Sequence, residues 1–146
     1  MEGHFHEDID FSNRAKYLAK NIELINEPLY YFYQRNTSTS RGNKNPKRAF
    51  DCLAVARSLH DFTERKVAPC DKDVFGNAVA TAINIGLSII VSVDQQTRNK
   101  YINELKRDLR FTDTMKYAPG KFHRLEAYLL SFNANLLIYL YAKIKK

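Results

Sequence analysis

Between Val74 and Val93 the chain carries no charged residue. An apolar-rich run of about 20 residues has two common homes, a membrane-spanning helix or a helix buried on nearly every side. The polar residues inside it favour the second. Asn77, Thr81, Asn84, Ser88 and Ser92 recur at helical spacing and draw one narrow polar stripe along an otherwise apolar rod. The expectation is a core helix opened by Asp71 and running to about Val93, with other helices packed round it. A second uncharged stretch, Ala127 to Ala142, follows Phe122-His123-Arg124-Leu125-Glu126 and ends in Lys143-Ile144-Lys145-Lys146. Asn133-Ala134-Asn135 is expected to break or bend it into two helices.

The remaining elements follow from local chemistry. Asn45-Pro46 is a helix start, asparagine capping and proline fitting the first position. Its helix carries Cys52, Val55, Leu59 and Phe62 in one stripe, widened by Ala49, Leu53 and Ala56, and stops before Ala68-Pro69. Asp94 caps a helix over 95–110 with Ile102, Leu105 and Leu109 on its seam and Arg98, Lys100, Lys106, Arg107 and Arg110 facing water. Thr112 to Gly120 reads as a loop. At the other end, Glu7, Asp8 and Asp10 open a helix whose apolar positions are Phe11, Ala15, Leu18 and Ala19. Residues 22–25 and 29–33 read as two short extended segments about a turn at Asn26-Glu27-Pro28, and 34–38 as a polar loop. The expected fold class is α+β, mostly α: the opening helix and two extended segments, then a helical carboxyl-terminal subdomain of about four helices. The expected division places 1–43 in one unit and 44–146 in the other.

A formal charge of +7 admits nucleic acid, anionic lipid or phosphorylated ligands as partners. The basic residues are scattered through several helices, without a helix-turn-helix or aromatic–basic motif, which argues against nucleic acid. Cys52 and Cys70 make neither a disulfide framework nor a zinc motif, so a reducing, cytoplasmic setting is expected, and Met1-Glu2-Gly3-His4 does not open a signal peptide. His4 and His6 with Asp8 and Asp10 offer nitrogen and oxygen donors, yet no further ligand has matching spacing and no metal site is assigned. His60 and His123 read as isolated core or solvated residues.

His6-Glu7-Asp8, then Pro28-Leu29-Tyr30-Tyr31, Arg35 and Thr37-Ser38, recur in an order that resembles the end of the catalytic domain of bacterial family 2 glycosyltransferases, of GT-A type. The resemblance is close over roughly the first third of the chain and loose over the helical remainder. It implies that Asp8 is the catalytic base with Glu7 beside it, and that His6, Gln34, Arg35, Thr37 and Ser38 lie near substrate. The implied reaction is a single inverting transfer of sugar from a nucleotide donor to a glycan or lipid-linked acceptor. Such enzymes also carry an amino-terminal nucleotide-binding half and an Asp-x-Asp that holds manganese or magnesium on the donor diphosphate. That half is not expected in this chain, which would carry no cofactor of its own and be inactive alone.

A competing expectation is a non-enzymatic basic helical module. The tyrosine- and leucine-rich carboxyl-terminal segments, ended by lysines, suit the inner face of an anionic membrane. A partner protein is the other occupant expected of such a module, and self-association is expected through Phe5, Ile9 and Phe11 of the opening helix.

Overall fold

The computed structural model describes residues 5–31 and 45–144. Among them are six α-helices: α1 (Glu7–Leu18), α2 (Lys47–Lys66), α3 (Lys72–Ile90), α4 (Gln95–Arg107), α5 (Phe111–Met115) and α6 (Lys121–Ile144), with a 3-10 turn at Pro69–Asp71. The protein is mostly helical, and no strand occurs among the described residues.

The uncharged run is the centre of the core. Phe75, Val79, Ile83, Leu87 and Ile90 of α3 are buried against Leu53, Ala56 and Leu59 of α2, and Phe111, Met115, Leu130 and Leu137 close the cluster. Two glycines let the backbones approach. A Cβ on Gly76 would stand 2.5 Å from the Ala118 nitrogen, and one on Gly86 2.8 Å from the Tyr101 hydroxyl and 3.2 Å from the Cys52 Cβ. Pro69–Ile90 is long and apolar enough to cross a membrane, but 56% of its most apolar window is buried inside the protein. Of the polar stripe, Asn77, Thr81 and Ser92 are exposed and Asn84 and Ser88 half-buried, as the spacing predicts.

Local chemistry sets most boundaries. Asn45 Oδ1 accepts from the Lys47 backbone N–H at 3.0 Å, and Pro46 has a helical φ of −62°. Lys66 ends α2, with Val67 and Ala68 extended ahead of Pro69. Asp94 accepts from the Thr97 backbone N–H at 2.9 Å and from its hydroxyl at 2.7 Å. α4 ends at Arg107 rather than at residue 110. α6 breaks at Asn133 (φ −155°, ψ 87°), whose Oδ1 accepts from the Leu136 N–H at 3.1 Å and so caps the second half.

Four expectations are corrected. α5 replaces the start of the loop expected over 112–120: Phe111 and Met115, one turn apart, are both fully buried, and that anchorage sustains a helix too short to stand alone. Arg98 does not face water; its guanidinium donates to the carbonyls of Val91 at 3.0 Å and Val93 at 3.1 Å, closing the open end of α3.

The third correction concerns α1. Phe11 is 73% exposed, and Ala15, Leu18 and Ala19 also face solvent. The docked face is Ile9, Asp10, Asn13, Arg14 and Tyr17. Asp10, only 8% exposed, takes an ion pair from Arg14 at 2.9 Å; the same guanidinium donates to the Ser58 carbonyl and lies 4.9 Å from the Phe62 ring centroid. Tyr17 packs edge-on to Phe62 and Phe75, while its hydroxyl donates to the Lys66 carbonyl at 3.2 Å and accepts from the Ala68 N–H at 2.9 Å. A paired charge and an amphipathic tyrosine are buried where an apolar count places phenylalanine.

The fourth concerns the two extended segments. Residues 22–25 and 29–31 form no strand and are exposed, Leu24 at 92%. A strand needs a neighbour for its N–H and C=O groups, and no described residue offers a sheet edge. Residues 32 and 33 lie outside the described residues, as does most of the expected boundary between the two units.

Candidate functional site

The first turn of α1 leaves several backbone N–H groups without helical partners, a field that favours negative charge. Glu7, Asp8 and Asp10 stand there, preceded by His6 in the left-handed region at φ 63°. Asp8 and Asp10 diverge: Asp10 is turned inward onto Arg14, whereas Asp8 is exposed and has no hydrogen-bond or ion-pair partner among the described residues. Glu7 is also exposed.

The turn before α1 is tied to the start of α2. The Phe5 backbone N–H donates to Asp51 Oδ2 at 3.0 Å, Lys47 bridges the same carboxylate at 2.6 Å, and Lys47 and Arg48 lie over the Phe5 ring. His6 Nε2 is 3.5 Å from an Arg48 guanidinium nitrogen. Burial, aided by Arg48, holds the His6 imidazole below its ordinary range against the opposing pull of Asp8 and Glu7. The neutral ring is therefore favoured beside the two carboxylates.

Asp8 borders a groove of about 640 Å³ between α1 and α3. Ile9, Ser12 and Asn13 continue its α1 wall; Asp73, Val74, Asn77, Ala78 and Thr81 make the α3 wall, and Pro119 closes one end. Among the described residues the lining holds two carboxylates, two amides, two hydroxyls and four apolar residues, and no cation. A diphosphate would meet only like charge there. A neutral polyhydroxylated ligand would find acceptors for its hydroxyl protons and apolar patches for its C–H faces. A smaller adjoining cavity of about 360 Å³, shared through Asn13 and Val74, carries Lys16 and Tyr17.

No protein-family model matches this chain, and no curated protein or solved structure does either.

Of the residues singled out from sequence, the structure brings Asp8 to the groove, leaves Glu7 in solvent beside it, and turns His6 toward Arg48. Gln34, Arg35, Thr37 and Ser38 lie outside the described residues. Asp73, Asn77 and Thr81 also line the groove without a sequence motif that marks them as site residues, although Asn77 and Thr81 belong to the polar stripe on the solvent side of α3. No group of three or more His, Cys, Asp or Glu residues is placed to hold a metal ion among the described residues.

A second polar cluster has a structural part. Glu126, 1% exposed, accepts from Asn84 Nδ2 at 3.2 Å, lies 3.0 Å from His123 Nδ1 and also accepts from the Tyr141 hydroxyl. Burial, then the bond to Glu126, raises the Tyr141 phenol above its ordinary range, so it stays a donor. Glu126 and Tyr141 stand on opposite sides of the Asn133 break and Asn84 on α3, so one buried carboxylate pins both halves of α6 to the core helix. His123 is thus not isolated; the spacing from His123 to Glu126, one helical turn, was the available signal.

Proposed function

We propose that this chain is the carboxyl-terminal part of a family 2 glycosyltransferase, with Asp8 as the base that activates the acceptor. The observation that supports it most is the setting of Asp8: exposed, in the first turn of a helix, and, among the described residues, without a partner and at the edge of a groove that no cation lines. As an acceptor hydroxyl oxygen attacks the anomeric carbon, Asp8 takes its proton and the nucleotide diphosphate departs from the opposite side, inverting the centre. A free carboxylate is a weak base, so its effect rests on position and on loss of water when the acceptor closes over it. Glu7 is the supporting neighbour, and His6, held by Arg48, sets the start of the helix.

The acidic groove suits the acceptor and repels the donor diphosphate. Donor and divalent metal fall to a nucleotide-binding half, and the resemblance assigns Gln34, Arg35, Thr37 and Ser38 to substrate binding. In the same reading, 22–25 and 29–31, which form no strand here, become strands only on pairing with the sheet of that half. The test is Asp8→Asn in the chain joined to a nucleotide-binding half. Transfer should be abolished with nucleotide-sugar affinity nearly unchanged, because the base acts on the acceptor proton; full transfer would remove Asp8 from the role.

A further inference from the structure

α6 is apolar on two sides. One side, with Ala127, Leu130, Ala134, Leu137 and Ile138, is buried in the core. The other carries Phe122, Leu125, Tyr128, Phe132, Leu136 and Tyr139 into solvent, Phe132 at 90% exposure. Phe122, Leu125, Tyr128 and Phe132, spaced three or four residues apart, form one unpartnered stripe on the half before the Asn133 break, and Leu136 and Tyr139 are exposed on the half after it.

Charge along the stripe has one sign. Lys121, Arg124 and Lys143 are exposed, and the sole acid of α6, Glu126, is turned inward onto Asn84, His123 and Tyr141. Lysines lie against the exposed tyrosine rings: Lys143 Nζ is 4.9 Å from the Tyr139 centroid, and Lys116 Nζ, which also pairs with Asp113, is 5.6 Å from that of Tyr128.

We propose that this face of α6 docks on an anionic lipid bilayer, lying in its interface. The charge pattern commits the face to that occupant. Two copies joined stripe to stripe would set the lysines and arginine of α6 against one another, the nearby Asp113 carboxylate being already paired with Lys116, whereas an acidic leaflet complements every exposed charge on the helix. Tyrosines beside lysines suit headgroup depth, with phenylalanine and leucine reaching the acyl boundary. The half of α6 before the Asn133 break, residues 121–132, extends about 18 Å, and its exposed side meets the surface along that length. It lies flat because its opposite side is held by the protein core. The inference does not depend on the transfer reading, since no groove residue takes part.

The experiment is co-sedimentation of the whole chain with phosphatidylcholine vesicles, with and without phosphatidylserine. Binding is expected only with phosphatidylserine, and weaker as salt rises. Phe132→Ser with Leu136→Ser, both at exposed positions, should keep the circular dichroism of the parent and lose binding by about tenfold or more. Lys121→Gln with Lys143→Gln should also weaken it while leaving the apolar stripe intact. Equal binding to both vesicle types, no binding to either, or unchanged binding by both variants would overturn the proposal. So would a dimer in sedimentation velocity that the serine variant abolishes, without vesicle binding, because the face would then belong to a second copy.

Discussion

At the scale of single residues, acid sensitivity is concentrated in carboxylates held by arginine or by backbone N–H groups. Arg110 grips Asp108 with two guanidinium bonds at 3.0 and 2.9 Å and adds its backbone N–H at 3.1 Å, which holds the carboxyl down at about 2. Arg57 and Arg107 lower Glu104, and Thr97 at the α4 cap lowers Asp94. In each case the folded value lies below the unfolded one, so the contribution is complete above the ordinary carboxylate range and is lost as pH falls through the folded value. The urea midpoint should therefore begin to fall as pH drops through the ordinary histidine range, where the unfolded chain takes up a proton that the folded His6 ring resists, and fall further below about pH 4. Asp108→Asn, which keeps an acceptor for Arg110 but cannot titrate, should show a shallower fall; an identical pH profile in parent and variant would show that Asp108 carries none of it. At the groove, the matching residue-scale expectation is the loss of transfer in Asp8→Asn, read as turnover against unchanged donor binding.

At the scale of elements, the helices legible in the sequence were those whose ends are decided locally. Asn45-Pro46, Ala68-Pro69, Asp94 and the Asn133 break each act within a few residues of themselves, and the uncharged run told which helix lies in the core. What escaped was decided by contacts between elements. α5 exists because Phe111 and Met115 meet the core, and the inner face of α1 is set by Arg14 reaching Ser58 on another helix. The same distinction separates the site residues: the Glu-Asp pair is visible in sequence order, but Asp73, Asn77 and Thr81 join Asp8 only because α1 lies along α3. The break in α6 is a local device with a distant consequence, since it lets Tyr141 reach Glu126. Asn133→Ala removes the cap of the second half and should lower stability by about 0.5–2 kcal/mol, while Asn133→Asp or Asn133→Ser should retain most of it. Urea unfolding of the three variants checks the order; equal stability of alanine and serine would mean that the cap bond contributes nothing.

At the scale of the whole molecule, the segment from 19 to 31 leaves Ile22, Leu24, Ile25, Leu29, Tyr30 and Tyr31 exposed, as α6 leaves its outer apolar residues, whereas α2 and α3 bury most of theirs. An extended chain alone pays the entropy of ordering without the ladder of hydrogen bonds or the covered face that stabilise a strand. Under the transfer reading, the sheet of a nucleotide-binding half supplies both. The isolated chain should then show fast amide exchange at 22–25 and 29–31, against slow exchange in α2 and α3, and should self-associate through the uncovered apolar residues. It should also fail to turn over UDP-, GDP- or dTDP-sugars with manganese, because neither the groove nor any described cluster is built for a donor diphosphate. Joined to a nucleotide-binding half, the same amides should gain protection by about a hundredfold or more as they enter the sheet, and transfer should appear with it. Exchange mass spectrometry, light scattering and calorimetry on the two forms read these outcomes separately. Turnover by the isolated chain, or an active joined protein in which 22–25 and 29–31 still exchange freely, would place the catalytic work elsewhere and leave the exposed segment needing another partner.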